Sequence, residues 1–277
     1  MSTPSKVWFI TGTSSGFGDA IARHALARGD RVLATARDPN ALADLVALAP
    51  DRVLALRLDV TKPDEIEAAV STALASFGAV DVLVNNAGFS IVGAVEETSD
   101  ADLRATLEPM FFGPVNLTRA LLPHMRARKS GTIVQITSVG GLITAPGFGA
   151  YCAAKHALEA VSESLAAEVA PFGVRVLIVE PGAFRTRLFG SAFRTMPALP
   201  EYESTVGPTR AYAASSDGSQ GGDPAKAAKA IVDSVHAGAP NLRLPLGADA
   251  VKSIREKLAR VSEDVNQTES IATSTAY

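Results

Sequence analysis

The chain contains one cysteine, Cys152, so no intramolecular disulfide can form. Such sparing use fits a reducing, cytoplasmic setting. Aromatic residues make up only 6% of the sequence while glycine and alanine are plentiful, a balance that suits close packing of helices on a sheet. Charge of either sign is not in excess. The net value of −3 gives no reason to expect nucleic acid or an anionic membrane as partner. No apolar run reaches the roughly 18 residues that a membrane-spanning helix needs. Residues 1–6 lack the basic-then-apolar order of a secretory signal. No repeat is visible, and residues 215–222 come nearest to low complexity. His24, His124, His156 and His236 fall on predicted helices with no cysteine or carboxylate at ligand spacing, so no metal site is expected.

What is present is enough apolar material for a large core, 47% of 277 residues. That length suits one large α/β domain or two small ones. Val7-Trp8-Phe9-Ile10 reads as a buried strand, and Thr11-Gly12-Thr13-Ser14-Ser15-Gly16-Phe17-Gly18 follows at once, before a helix over 20–26. Strand, glycine loop and helix place backbone N–H groups and a helix N-terminus around a phosphate. The spacing is Gly-x-x-x-Gly-x-Gly, and a plain turn between strand and helix explains it as well.

Further strands are predicted over 31–36, 53–58, 80–84, 131–137 and 174–180, with helices over 41–48, 64–77, 100–125 and 153–170 between them. Polar punctuation falls at strand C-terminal ends. This alternation predicts an α/β fold, a Rossmann-type doubly wound parallel sheet with ligands along that edge. At the end of the second strand an acidic residue would accept from a ribose 2′-hydroxyl, whereas arginine pairs with a 2′-phosphate. Arg37 stands there and favours NADP(H) over NAD(H), although Asp38 follows directly. Asp59, before Val60, either accepts from an adenine amino group or caps a turn. Asn85-Asn86-Ala87-Gly88 either forms only a turn or lines the cofactor groove and braces the next strand. Within 100–125, Pro109, Gly113 and Pro114 predict a bend.

Tyr151 and Lys155 lie four residues apart and share a face of the predicted helix. A phenol beside a fixed ammonium makes an acid/base unit, because the positive charge favours the phenolate and lowers the tyrosine pKa from about 10 toward neutrality. Two residues sharing a helix surface would look the same. Cys152 beside them is read as a packing residue.

Beyond Gly182 the pattern loosens. Residues 183–222 mix apolar and turn residues, among them Phe184, Leu188, Phe189 and Tyr212, and read as a semi-ordered substrate lid. Arg185 and Arg187 either meet a phosphate or acidic substrate there or are solvated. Asp223-Pro224 caps a helix running to His236. Residues 243–246 suit an edge strand, 248–261 a final helix, and 265–277 a polar, mobile tail.

These motifs, in this order, closely resemble the classical short-chain dehydrogenase/reductases. The resemblance rests on the glycine loop, Asp59-Val60, Asn85 to Gly88, Ser138, Tyr151-x-x-x-Lys155, Pro181-Gly182 and Thr186. It implies one such domain over 1–277: a cofactor-binding and catalytic core over 6–182, the lid over 183–222, and C-terminal helices with the edge strand over 223–264. It implies Tyr151 as general acid/base, Lys155 as its partner and ligand of the nicotinamide ribose, and Ser138 as hydrogen-bond partner of the substrate oxygen. Gly12, Thr13, Ser14, Ser15, Gly16, Phe17, Gly18, Arg37, Asp59, Val60, Asn86, Ala87, Gly88, Pro181, Gly182, Phe184 and Thr186 would hold the dinucleotide. The substrate implied is a small carbonyl or alcohol, and the assembly a homodimer or homotetramer.

The family's usual asparagine in the fourth helix is Met110 here, just before Phe111-Phe112-Gly113. Asn116 lies six residues on, about 1.7 turns away, and is not a substitute. In the family that asparagine holds a kink whose main-chain carbonyl serves the lysine's side of a proton relay. One reading is that Met110 keeps this service through its backbone while Pro109 shapes the helix, which predicts an ordered water between its carbonyl and Lys155. The rival reading is a nicotinamide-binding protein with weak or no turnover.

Overall fold

The computed structural model describes residues 5–190 and 193–277. Residues 1–4 of the N-terminal stretch and 191–192 of the expected lid lie outside them. The chain opens with β1 (Val7–Ile10), α1 (Gly16–Ala27), β2 (Arg31–Ala36), α2 (Ala43–Leu48), β3 (Val53–Arg57), α3 (Pro63–Phe77) and β4 (Val82–Asn85). A short β5 (Ser90–Val92) and α4 (Asp100–Leu107) lead to a π-helical turn, Glu108–Phe112, and α5 (Gly113–Arg128). Then come β6 (Gly131–Ile136), α6 (Gly149–Val169), β7 (Val174–Pro181), β8 (Phe193–Thr195), α7 (Gly207–Ser215), α8 (Pro224–Ala237), β9 (Arg243–Leu246) and α9 (Ala248–Thr273).

Seven parallel strands form the main sheet in the order β3-β2-β1-β4-β6-β7-β9, and β5 pairs with β8 in a separate parallel ribbon. Helices cover both faces, because side chains alternate across each strand. Trp8 and Ile10 enter the core beneath α1 and α8, whereas Phe9 enters the opposite core with residues of α3 and α5. The strand order reverses between β1 and β4. There the chain diverges in opposite directions and leaves a crevice above the strand C-termini.

Three expectations need correction. The helix predicted over 100–125 is interrupted at residues 108–112, where Gly113 N–H reaches back five residues to the Glu108 carbonyl. Neither Pro109 nor Pro114 has an N–H, so the carbonyls of Ala105 and Met110 lose their regular helical donors. The lid contains β8 and α7, fixed to residues 94–97: the buried Glu97 carboxylate accepts from Ala94 N–H, Leu199 N–H and the Arg210 guanidinium. The polar tail is helical instead: α9 continues to Thr273, and the Thr268 and Thr273 hydroxyls donate back one turn to the Asp264 and Glu269 carbonyls.

Candidate active site

The glycine loop lies at the mouth of the crevice. Gly12 and Gly16 take left-handed backbone angles, φ 68° and 61°, which favour glycine. A Cβ at Gly12 would also lie 3.1 Å from the Ala87 Cα. Asn86 closes this approach by donating from Nδ2 to the carbonyls of Thr11 (2.8 Å) and Gly12 (3.1 Å). The N–H groups of Asn86 and Ala87 donate to the Thr11 hydroxyl. Asn85 braces the next strand, donating to Gln135 Oε1 at 3.0 Å. No side chain caps α1 at Ser15, so its first N–H groups face the crevice with the positive end of the helix dipole. A glycine cradle without room for a Cβ and an uncapped helix start suit a dinucleotide phosphate.

One cavity of about 870 Å³ runs from this loop to the substrate end. It is lined by Gly12, Ser14, Ser15, Gly16, Phe17, Arg37, Asp59, Val60, Asn86, Ala87 and Gly88, and by Ser138, Tyr151, Lys155, Pro181, Gly182, Phe184 and Thr186. Two predicted loop residues do not reach it. Thr13 lies under the loop with its hydroxyl donating to the Thr35 carbonyl, and Gly18 packs so tightly on Gly12 that a Cβ would stand 2.3 Å from its oxygen. Asp38 turns away and accepts from Asn40 N–H. Asp59 does cap a turn, since its Oδ1 accepts from both the N–H and the hydroxyl of Thr61. Burial opposes its ionisation, but those bonds and the Arg37 and Lys62 charges hold its carboxyl below the usual range.

Ser138 stands two residues past β6 and caps a tight turn over Val139–Gly141. Its Oγ accepts from Gly140 N–H at 3.0 Å, and the same hydroxyl favours ionisation of the Tyr151 phenol. Tyr151 and Lys155 project from the first two turns of α6 and are both buried. Lys155 Nζ lies 5.8 Å from the tyrosine ring centre and donates to the Ile136 carbonyl at 2.9 Å. The expected lowering of the tyrosine pKa is not found. Burial pushes the phenol up to about 12, outweighing the Ser138 hydroxyl. Burial also pushes Lys155 down to about 8, against the attraction of Glu159. Desolvation acts on both groups, and the ammonium is turned to the β6 backbone, so the pair rests as a neutral phenol beside a lysine close to titration.

Burial likewise pushes the Cys152 thiol up to about 11, which keeps it protonated and suits its packing role. Among the described residues no group of three or more His, Cys, Asp or Glu side chains could hold a metal. The imidazoles have other partners: His124 accepts from Val80 N–H, His156 meets the Cys152 carbonyl, and His236 meets Asp30.

Met110 is 1% exposed and packs beside Tyr151 and Cys152. At the substrate end the aromatic rings form a chain: Tyr151 and Phe148 at 6.3 Å, Phe148 and Phe189 at 6.2 Å, Phe189 and Tyr212 at 5.9 Å. Phe148, Phe89, Ile143 and Arg194 escaped the sequence reading, as did Asp249, which accepts from Ala183 N–H at 2.7 Å. None sits in a motif, and only the fold brings Asp249 66 residues back to the loop after Gly182.

The sequence profile of the short chain dehydrogenase family matches residues 6–197. The chain belongs to the short-chain dehydrogenases. It is 41% identical over 249 residues to the oxidoreductase BOA17 of Botryotinia fuckeliana, covering 90% of this chain and 91% of that one. A crystal structure of a short-chain dehydrogenase from Streptomyces avermitilis superposes with a TM-score of 0.94 at 52% identity, covering 100% of both chains. The alcohol dehydrogenase from Thermococcus sibiricus complexed with 5-hydroxy-NADP is 26% identical, with a TM-score of 0.70 over 88% of this chain and 96% of that one. This short-chain dehydrogenase is therefore an oxidoreductase with the seven-stranded Rossmann-type sheet of its family. Among the described residues, no helix is long and apolar enough to cross a membrane.

Proposed function

We propose that the chain is an NADP(H)-dependent oxidoreductase interconverting an apolar ketone and its secondary alcohol, with Tyr151 as general acid/base. The observation that carries this reading is the meeting of Ser138, Tyr151 and Lys155 in one cavity with the glycine loop. When bound, a nicotinamide dinucleotide supplies or takes up the hydride. The glycine loop and α1 would bind its phosphates, with Asn86 to Gly88, Pro181-Gly182, Phe184 and Thr186 along its length. Arg37 lines the cavity while Asp38 is occupied at Asn40, which supports a 2′-phosphate over a bare ribose. The 5-hydroxy-NADP of the Thermococcus relative is in keeping with that preference.

In reduction the Tyr151 phenol gives its proton to the carbonyl oxygen while the Ser138 hydroxyl steadies the developing charge. A phenol held neutral by burial is ready for this role. In oxidation the proton returns to Tyr151, with the Lys155 ammonium stabilising the phenolate. The aromatic chain from Phe148 to Tyr212 excludes water and favours a substrate with hydrophobic bulk, cyclic, aryl or steroid-like. The single buried thiol fits a cytoplasmic enzyme. Exposed Leu258, Val261 and Val265 on α9 favour a homodimer or homotetramer, which light scattering would test.

Purified protein mixed with NADPH or NADH and a panel of ketones, followed at the nicotinamide absorbance, tests the reading. Ketone-dependent oxidation of NADPH supports it. Tight cofactor binding without turnover on any ketone would favour the binding-protein alternative.

A further inference from the structure

One helical turn from Lys155 lies a second buried charge that the mechanism above does not use. One turn along α6, the Glu159 side chain is 4% exposed and paired through Oε2 with the Arg243 guanidinium of β9. The same guanidinium holds Glu180 of β7, 1% exposed, and the more open Glu163 of α6. Glu159 Oε1 is buried and has no hydrogen-bond partner among the described residues. It lies against Gly141, where a Cβ would stand 2.7 Å from Glu159 Cγ and 3.0 Å from Oε1. Gly141 closes the turn that begins at Ser138, and Glu180 immediately precedes Pro181-Gly182. One arginine thus ties together the lysine helix, the serine turn and the strand that ends at the cofactor groove.

A buried carboxylate without a counter-charge takes up a proton. Arg243 supplies the counter-charge to Glu159, and a carboxylate one helical turn from an ammonium favours the charged lysine. That attraction opposes the burial that lowers the lysine's pKa. Lys155 shares its cavity with the titratable or charged Tyr151 and Cys152 of α6, Asp249 of α9, Arg187, Arg194 and Tyr212 of the lid, and Arg37 and Asp59 beyond β2 and β3, while Glu159 and Glu163 of α6 and Glu180 of β7 gather on Arg243 of β9. The π-helical turn contributes only the uncharged Pro109 and Met110.

We propose that Glu159, paired with Arg243 one helical turn from Lys155, is a positioning residue that supports the lysine ammonium during turnover and fixes the turn that presents Ser138. The proposal rests on the assignment of Tyr151 and Lys155 made above. A cluster that merely staples β9 to β7 would change stability and leave the pH profile of the reaction where it was.

The test is the kcat–pH profile for ketone reduction by the full-length enzyme. Glu159→Gln keeps the shape and removes the charge. Its alkaline limb is expected to move down by about one pH unit, the size of effect that a nearby opposite charge has on a pKa, with little change in KM. Arg243→Gln removes the partner that fixes Glu159 and should move the limb the same way, whereas Arg243→Lys keeps the counter-charge and should restore it. Either glutamine variant suffices if the other does not fold. A limb that stays in place in the folded variant overturns the proposal. If the wild type shows no turnover, or Tyr151→Phe turns over equally well, the parent assignment fails and this inference falls with it. If both behave as assigned and only the limb stays fixed, this inference alone is wrong.

Discussion

Lys155 donates to the Ile136 carbonyl at 2.9 Å, at the last residue of β6 and two residues before Ser138. The ammonium is thereby fixed between the β6 backbone and the Tyr151 ring, 5.8 Å from the ring centre, in a poorly solvated place.

That burial has a thermodynamic signature. Lys155 titrates near 8 in the fold against 10.5 ordinarily. Below pH 8 both states hold the proton, and the fold bears the full cost of burying the charge. Between 8 and 10.5 the unfolded chain holds more protons, so the stability attributable to Lys155 rises with pH. Lys155→Met should therefore show its greatest stability relative to wild type at pH 7, and the difference should shrink by pH 10. Urea midpoints at the two pH values measure it. A difference that grows with pH would contradict the assignment.

Tyr151→Phe removes the proton donor and keeps the ring. Turnover should fall by about 10²-fold or more, the contribution of general acid catalysis, while NADPH affinity stays within a few-fold. Steady-state kinetics and a fluorescence titration separate the two quantities. Retained kcat would remove Tyr151 from its role.

Arg37→Ala tests the cofactor preference. A charge-assisted bond is worth about 1.5–3 kcal/mol, so NADPH binding should weaken by about 10- to 100-fold. NADH binding should change little, because Asp38 remains engaged with Asn40. Equal weakening of both cofactors would overturn the 2′-phosphate reading.

Pro114→Ala would give residue 114 an N–H and so offer the Met110 carbonyl the helical donor it lacks. If that carbonyl serves the lysine's proton exchange, kcat should drop by about tenfold while thermal stability holds or rises. Met110→Asn should leave kcat nearly unchanged, because the backbone already provides the service. Full activity in Pro114→Ala would show that the carbonyl is not used.

Much of this was legible from residue order. The alternation of apolar runs with amphipathic segments indicates a parallel sheet, since only strands buried on both faces read as continuous runs such as Val7 to Ile10. The glycine loop and the Tyr151–Lys155 spacing are local features, fixed by backbone geometry over a few residues. The π-helical turn was half legible: Pro109 and Pro114 announce an interruption, but the choice of a wider turn over a simple bend depends on how Met110 packs against Gly88 and Tyr151. The order within the lid was not legible, because β8 exists only by pairing with β5, about a hundred residues earlier.

The sequence by itself determined the fold class and the family and singled out Ser138, Tyr151 and Lys155 as candidates, because each is written in local spacing. Only the tertiary structure decided the electrostatic state of Tyr151 and Lys155. Their pKa values depend on how much protein covers them and on which distant charges meet there. Arg243 reaches α6 across 84 residues to hold Glu159 beside the lysine, and no periodicity in the chain records that approach. The same four-residue spacing that announces an acid/base pair on an exposed helix becomes, once buried, a neutral phenol beside a lysine near its titration point.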